Sequence, residues 1–331
     1  AGMLAPVTEV HPGEESLLTL NLVAASRWPV WVEELTSDSG LEPGYRQTGT
    51  LVVARDADEN EALAELFRFQ KELGLQATRM RSRECRSLEP LLSPRVRGGI
   101  HVEGDHQVDN RALLSGLVEA CERRGVAFVR SNVASIAGDD RVNGVELVGG
   151  QVIECSSVVL AAGTWSGLIG MPRGLSLDLR PVKGQLLVLR GPQSSPLVQR
   201  TVRGRDVYLV PRADGRVIVG ASSEEMGFDS SVRAGAVFDL LRDAYELVPG
   251  LAELELSEIC VGLRPATPDN APVLGPSNVD GLHLATGHYR NGILLAPVTA
   301  DALVASLTEG VLPPEAAPFS PDRFRRAETV A

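Results

Sequence analysis

Arg264 stands alone among prolines and small residues in Gly262-Leu-Arg-Pro-Ala-Thr-Pro-Asp-Asn-Ala-Pro272, just after the apolar run Ile259–Val261. A guanidinium on so stiff a segment can clamp a carboxylate through two parallel hydrogen bonds. On this segment alone a surface salt bridge is the simpler reading. Tyr208 lies in Asp206-Val-Tyr-Leu-Val-Pro211, an alternating pattern in which a tyrosine ordinarily packs as filler. Two stretches, Leu160-Ala-Ala-Gly-Thr-Trp-Ser166 and Ala285-Thr-Gly-His-Tyr-Arg-Asn-Gly292, read as strands that run into glycine turns. Such a turn before a helix can present backbone N–H groups to an anion. Either one alone is as readily a plain turn. Two in one α/β chain point toward a nucleotide cofactor.

Other chemistry lacks its motif. The sequence contains no G-x-G-x-x-G and no phosphate-binding P-loop. In Gly163-Thr-Trp-Ser-Gly167 the serine is fourth rather than third, so it is no nucleophile elbow. The five histidines form no H-E-x-x-H, and His101 and His106 near Asp105 read as a polar loop rather than a metal site. Cys85, Cys121, Cys155 and Cys260 are scattered without a C-x-x-C, as expected of reduced thiols in a cytosolic protein.

The elements that must position these residues follow from periodicity. Leu18, Leu22, Ala25, Val32 and Leu35 predict a helix from Glu14 to about Asp38, kinked or divided at Pro29. A strand is expected at 49–54, a helix over 59–73 closed by Gly74, a loop at 87–90 and a short strand at 97–102. Asp109 or Asn110 should cap a helix to Arg124, followed by a strand at 126–129 and a hairpin of 142–147 with 151–154. Residues 157–163 read as a buried strand, and the run as a doubly wound α/β layer. Segments 182–189, 207–211 and 216–221 suit a mainly antiparallel sheet, with a helix over 232–248. The strand 281–287 should lead into an apolar helix from Ile293 to Leu307.

The 331 residues favour two domains. At 44% apolar and 23% charged the chain is an ordinary globular protein, and no apolar run is long enough for a membrane span. A net charge of −11 argues against nucleic acid as a partner. The opening Ala1-Gly2-Met3-Leu4-Ala5-Pro6 is no signal peptide, and a piece upstream of it is expected to be missing.

Ala1–Pro6, Pro181-Val-Lys-Gly-Gln185, Val207–Arg212, Val219-Gly-Ala221, Gly262–Asp269 and Gly287-His-Tyr-Arg-Asn-Gly-Ile-Leu-Leu-Ala-Pro297 occur in order over nearly the whole chain. Together they resemble the glycine oxidases of thiamine biosynthesis, within the D-amino-acid oxidase group of flavoenzymes. The resemblance implies a doubly wound α/β FAD-binding domain, built from 1–44, 105–175 and 263–331, and a mainly antiparallel substrate domain, built from 45–104 and 176–262. Members of the family begin with a βαβ unit whose Gly-rich turn holds the FAD pyrophosphate. Here the chain opens beyond that unit, so the reading expects residues 1–331 alone to be poorly soluble or flavin-free.

The resemblance places Arg264 and Tyr208 on the substrate carboxylate and Arg290 over the site. It places Gly2 and Met3 along the flavin ring, Val133 at the adenine end and Ala162 and Gly163 along the cofactor. Gly287, His288, Arg290, Asn291, Gly292, Ile293 and Leu294 would hold the flavin N1–O2 edge through their backbone. No side-chain acid or base is implied. Asp206 stands where the family often has His, and no role passes to it. Gly262 stands where sarcosine oxidases attach FAD through Cys, which implies non-covalent FAD. The implied reaction is oxidative deamination of glycine, or of sarcosine or small D-amino acids, with O2 as electron acceptor. The implied setting is a cytoplasmic homo-oligomer, with possible hand-over of the imine to a thiazole synthase. The alternatives are a sarcosine oxidase or another D-amino-acid oxidase relative, or a flavin-free scaffold.

Overall fold

The computed structural model describes residues 1–172 and 175–327. Six α-helices occur among them: α1 (Glu15–Ser39), α2 (Ala57–Glu72), α3 (Ser82–Leu88), α4 (Asn110–Arg123), α5 (Ala234–Leu247) and α6 (Ala296–Glu309). Leu17, Leu20, Ala24, Trp28, Val32 and Leu35 recur every three or four residues along α1 and are buried against α4 and α6. Pro29 sits inside α1 without dividing it, because Trp28 and Val32 on either side are held in the same core. Asp109 caps α4 by accepting from the N–H groups of Arg111 and Ala112.

The largest sheet has eight strands. Its order is Glu255–Ala266, Arg180–Arg190, Arg216–Gly220, Tyr208–Pro211, Thr201–Arg203, Thr50–Ala54, Gly98–Val102 and Thr78–Arg81. All its neighbours are antiparallel except Thr201–Arg203 against Thr50–Ala54. Side chains alternate across it. Leu187, Leu189, Leu209 and Val219 pack under Leu240, Ala244 and Leu247 of α5, while Val188, Val210 and Ile218 join Met3 and Tyr208 on the opposite face.

A second body comprises the α1–α4–α6 layer and two three-stranded sheets. Leu282–Thr286 pairs in parallel with Val158–Leu160 and antiparallel with Val273–Pro276. Val133–Gly138, Val142–Leu147 and Val152–Glu154 form an antiparallel meander. Ile136, Val142, Leu160, Leu282 and Leu284 fill the space between the two sheets.

Several expectations are corrected. Val126–Val129 forms no strand: its residues are exposed and no strand of the described residues pairs with them. Val158–Leu160 is a sheet edge with Val159 exposed rather than a fully buried strand. The loop read at 87–90 begins inside α3, stabilised by Glu84 reaching back to the Arg81 N–H. Helix α6 starts at Ala296, three residues beyond the expected Ile293, after a turn closed by Leu295 N–H on Asn291 O.

Candidate active site

The cavity-facing half of the large sheet carries Gly184, Leu186, Tyr208, Gly262 and Arg264, all lining a cavity of about 1010 Å3. Arg264 lies on an edge strand, with Val182 as its register partner. Pro265 is tolerated there because an edge strand need not donate on its outer side. The guanidinium donates to the backbone carbonyls of Ser222 (3.1 Å) and Lys183 (3.5 Å). It has no carboxylate partner among the described residues, although Lys183 on the neighbouring strand pairs with Asp229 at 2.9 Å.

Two glycines make this placement possible. A Cβ on Gly184 would lie 2.6 Å from both terminal nitrogens of Arg264, so the guanidinium rests flat on bare backbone. A Cβ on Gly220 would lie 2.5 Å from the Tyr208 hydroxyl, and Tyr208 is its register partner. Burial pushes the Tyr208 phenol up to about 12, against the pull of Arg264. Tyr208 is therefore a neutral hydroxyl, able to donate to an anion held by Arg264. The motifs Lys183-Gly-Gln185 and Val219-Gly-Ala221 owe their glycines to these two side chains.

The opposite wall comes from both ends of the chain. Met3–Leu4 pairs with His106–Gln107, and Val108 N–H donates to Gly2 O at 2.8 Å. Gly2 has φ +79°, and a Cβ there would strike the Val108 carbonyl. The buried Arg212 donates to Ala1 O and, at 2.8 Å, to Gln107 Oε1. The fully buried Asp105 accepts the N–H groups of Thr8 (2.7 Å) and Val7 (3.2 Å). These bonds hold Ala1, Gly2, Met3 and Glu9 at the cavity.

Facing them is the turn 287–295. Tyr289 N–H donates to Pro265 O at 3.0 Å, which ties the turn to the neighbour of Arg264. Tyr289 has φ +47°, unusual for a residue with a side chain, at a position lining the cavity. Trp28 Nε1–H donates to Leu294 O at 2.9 Å and anchors the turn to α1.

The cavity thus brings together Gly2, Met3, Tyr208, Arg264, Arg290, Asn291, Ile293 and Leu294. Gly287 supports the turn behind the wall: φ is +73°, and a Cβ would lie 2.6 Å from Thr267 Cγ2. His288 is half-buried, its Nε2 3.0 Å from Thr299 Oγ1 of α6, and desolvation lowers its pKa to about 4, so it is neutral. Gly292 has an ordinary φ and its Cβ would meet only His288 Cβ, at 3.4 Å. Arg290 is already paired with Glu14 and lies 3.6 Å from Glu9. Val133, Ala162 and Gly163 do not line the cavity: Val133 is on the meander, and Gly163 (φ +55°) opens a 3-10 turn with free space where a Cβ would point. The structural roles of Trp28, Asp105, Arg212, Gly184 and Gly220 were not read from sequence. Both glycines stand in strand-like runs, where a residue without a side chain marks a close approach, and that was the available signal.

The cavity is much larger than a small amino acid needs, and besides Arg264 and Tyr208 its lining includes Ala1, Gly2, Met3, Asn291, Ile293 and Leu294. Those features fit a planar ring system such as a flavin. Such a fold and site define a flavin-dependent oxidoreductase. Residues 1–306 match the family model described as FAD dependent oxidoreductase, and the chain belongs to that family.

The bifunctional protein ThiO/ThiG of Synechocystis sp. is 37% identical over 98% of the chain, which spans 47% of that relative's length. The glycine oxidase of Geobacillus kaustophilus is 34% identical over 93% of the chain and 82% of its own. The crystal structure of glycine oxidase from Geobacillus kaustophilus superposes with a TM-score of 0.88 over 97% of this chain and 86% of that one. The chain therefore spans about half the length of the bifunctional relatives it matches. Among the described residues no helix is long and apolar enough to cross a membrane, and no cluster of His, Cys, Asp and Glu could hold a metal ion.

Proposed function

We propose that the chain carries an FAD-dependent amino-acid oxidase that takes glycine, with the carboxylate bound by Arg264 and Tyr208. The observation that carries this reading is the Arg264 guanidinium, stacked on Gly184 and facing the cavity without a carboxylate partner. When bound, FAD supplies the two-electron acceptor that oxidises the substrate Cα–N bond and returns to its oxidised form with O2. The sum is glycine, O2 and water giving glyoxylate, ammonia and hydrogen peroxide.

The protein's part is binding and orientation. Arg264 fixes the carboxylate through two N–H groups, and the neutral Tyr208 adds a third donor. The substrate amine then points away from the arginine, toward the wall built by Ala1–Met3 and 289–294. Ala1, Gly2, Met3, Arg290, Asn291, Ile293 and Leu294 would hold the ring end of FAD, mostly by backbone. Gly287 and His288 would shape that turn from behind. Val133, Ala162 and Gly163 would serve the more distant parts of the cofactor, and Gly292 would join Asn291 to Ile293 in the turn at the ring end. Glu9 is engaged by Arg203 at 2.7 Å, so no side chain is assigned as an acid or base.

The same reading divides the chain into an FAD-binding domain (1–44, 105–175, 263–331) and a substrate domain (45–104, 176–262). The eight-stranded sheet, drawn from 50–102 and 180–266, supports that division. The proposal extends to a cytoplasmic homo-oligomer that passes the imine to a thiazole synthase; the bifunctional ThiO/ThiG name of the relatives supports only the link between the two activities.

Arg264→Ala tests the core of the proposal. Loss of a charge-assisted pair of about 2–5 kcal/mol should raise KM for glycine by about 30-fold or more, while FAD binding is retained. Arg264→Lys should recover part of the loss. An unchanged KM would remove Arg264 from the carboxylate site.

A further inference from the structure

A second cavity, of about 430 Å3, adjoins the first and shares Arg203 and Arg205 with it. Along residues 8–10 the lining alternates: Glu9 faces the first cavity, Thr8 and Val10 the second. The second cavity falls within the size range of small-molecule sites, roughly 300–1,000 Å3. Its walls are apolar, formed by Val10, Pro12, Leu63, Leu66 and Phe69.

One polar group, Arg205, distinguishes it from a packing defect. Thr8 is buried at its lining and turned to Asp105, whose carboxylate accepts the Thr8 N–H at 2.7 Å. Arg203 is committed, donating to Thr8 O at 2.9 Å and paired with Glu9. Arg205 is exposed and makes no ion pair or hydrogen bond among the described residues, so one cation at the cavity is available to a ligand. Two acids also line the cavity: Glu59 is held by Arg55 at 2.5 Å, and Glu65 is an exposed side chain on the same face of α2 as Arg68.

We propose that this second cavity binds a small carboxylate bearing an alkyl or aryl group. The apolar part lies against Leu63, Leu66 and Phe69, and the carboxylate meets Arg205. The site stands apart from Arg264 and does not depend on the function proposed above.

Calorimetric titration of the chain with hexanoate tests it, alongside Ala62→Trp, Arg205→Ala and Arg264→Ala. Ala62 is on the exposed side of α2 at the cavity, so tryptophan there obstructs the cavity without entering the core. Hexanoate should bind the unaltered chain and Arg264→Ala alike, fail to bind Ala62→Trp, and bind Arg205→Ala at least about tenfold more weakly. Hexanol should bind the unaltered chain at least about tenfold more weakly than hexanoate. Loss of binding in Arg264→Ala with retention in Ala62→Trp would place the ligand in the first cavity and overturn the proposal. So would no binding to the unaltered chain, or equal affinity for hexanoate and hexanol. If Ala62→Trp does not fold, as judged by circular dichroism, the Arg205→Ala and hexanol comparisons decide.

Discussion

Gly184 is the residue whose replacement isolates the positioning of Arg264 from its chemistry. A methyl group there would sit 2.6 Å from the guanidinium, the far end of a flexible side chain that can swing away. Gly184→Ala should therefore leave the melting temperature within a few degrees of the parent and raise KM for glycine by about tenfold, with kcat less affected. An unchanged KM would show that Arg264 is not used where it stands. Asp105 makes a different prediction. Its carboxyl is fully buried, and desolvation raises its pKa to about 6 from an ordinary 3.8, despite the N–H groups of Val7 and Thr8. The folded state then binds this proton more tightly than the unfolded chain. Its contribution to stability falls as pH rises from about 4 to about 6, and the cost above that range is about 3 kcal/mol. Urea unfolding of the parent and Asp105→Asn should show the parent losing stability relative to the variant over that interval. Parallel profiles would mean that Asp105 does not titrate there.

At the scale of elements, what was legible in the sequence is what local patterning controls. The helix faces of α1, α4 and α5, the hairpin at 142–154 and the strands around Tyr208 follow from period and capping. Arg264 and Tyr208 stood out as candidates, yet their meeting depends on strand register and on Gly184 and Gly220, which no local pattern declares. The anchoring of the 287–295 turn by Trp28 and Thr299 is long-range and equally silent. The strand expected at 126–129 had the right residues but no neighbour, and pairing rather than propensity makes a strand. Within the turn, the structure shifts the critical glycine. Gly287 has φ +73° and no room for a Cβ, whereas Gly292 has an ordinary backbone and its nearest contact at 3.4 Å. Gly287→Ala should weaken FAD binding, read by fluorescence quenching, by about tenfold through strain of about 1 kcal/mol or more. Gly292→Ala should change it little. Equal effects would mean that the turn's shape is not what the cofactor reads.

The whole molecule has unequal surfaces. The cavity side is held by ion pairs that join distant segments, Arg203 with Glu9 and Arg290 with Glu14, and Arg216 ties the large sheet to Asp109 at the start of α4. The sheet containing Val158–Leu160 is less protected. Among the described residues that strand has a strand partner on one side only, Leu282–Thr286, so its other edge offers unpaired backbone groups. Phe128, Val129, Trp165 and Leu168 are each more than half exposed. An open strand edge together with exposed large apolar side chains favours association. Residues 1–331 expressed alone should therefore sediment as a concentration-dependent mixture of species rather than as one small species. Phe128→Lys with Val129→Lys should shift that mixture toward the monomer without changing the far-ultraviolet circular dichroism, because neither side chain contributes to a core. A chain that sediments as a single concentration-independent monomer before any substitution would show that these residues and the open edge do not drive association.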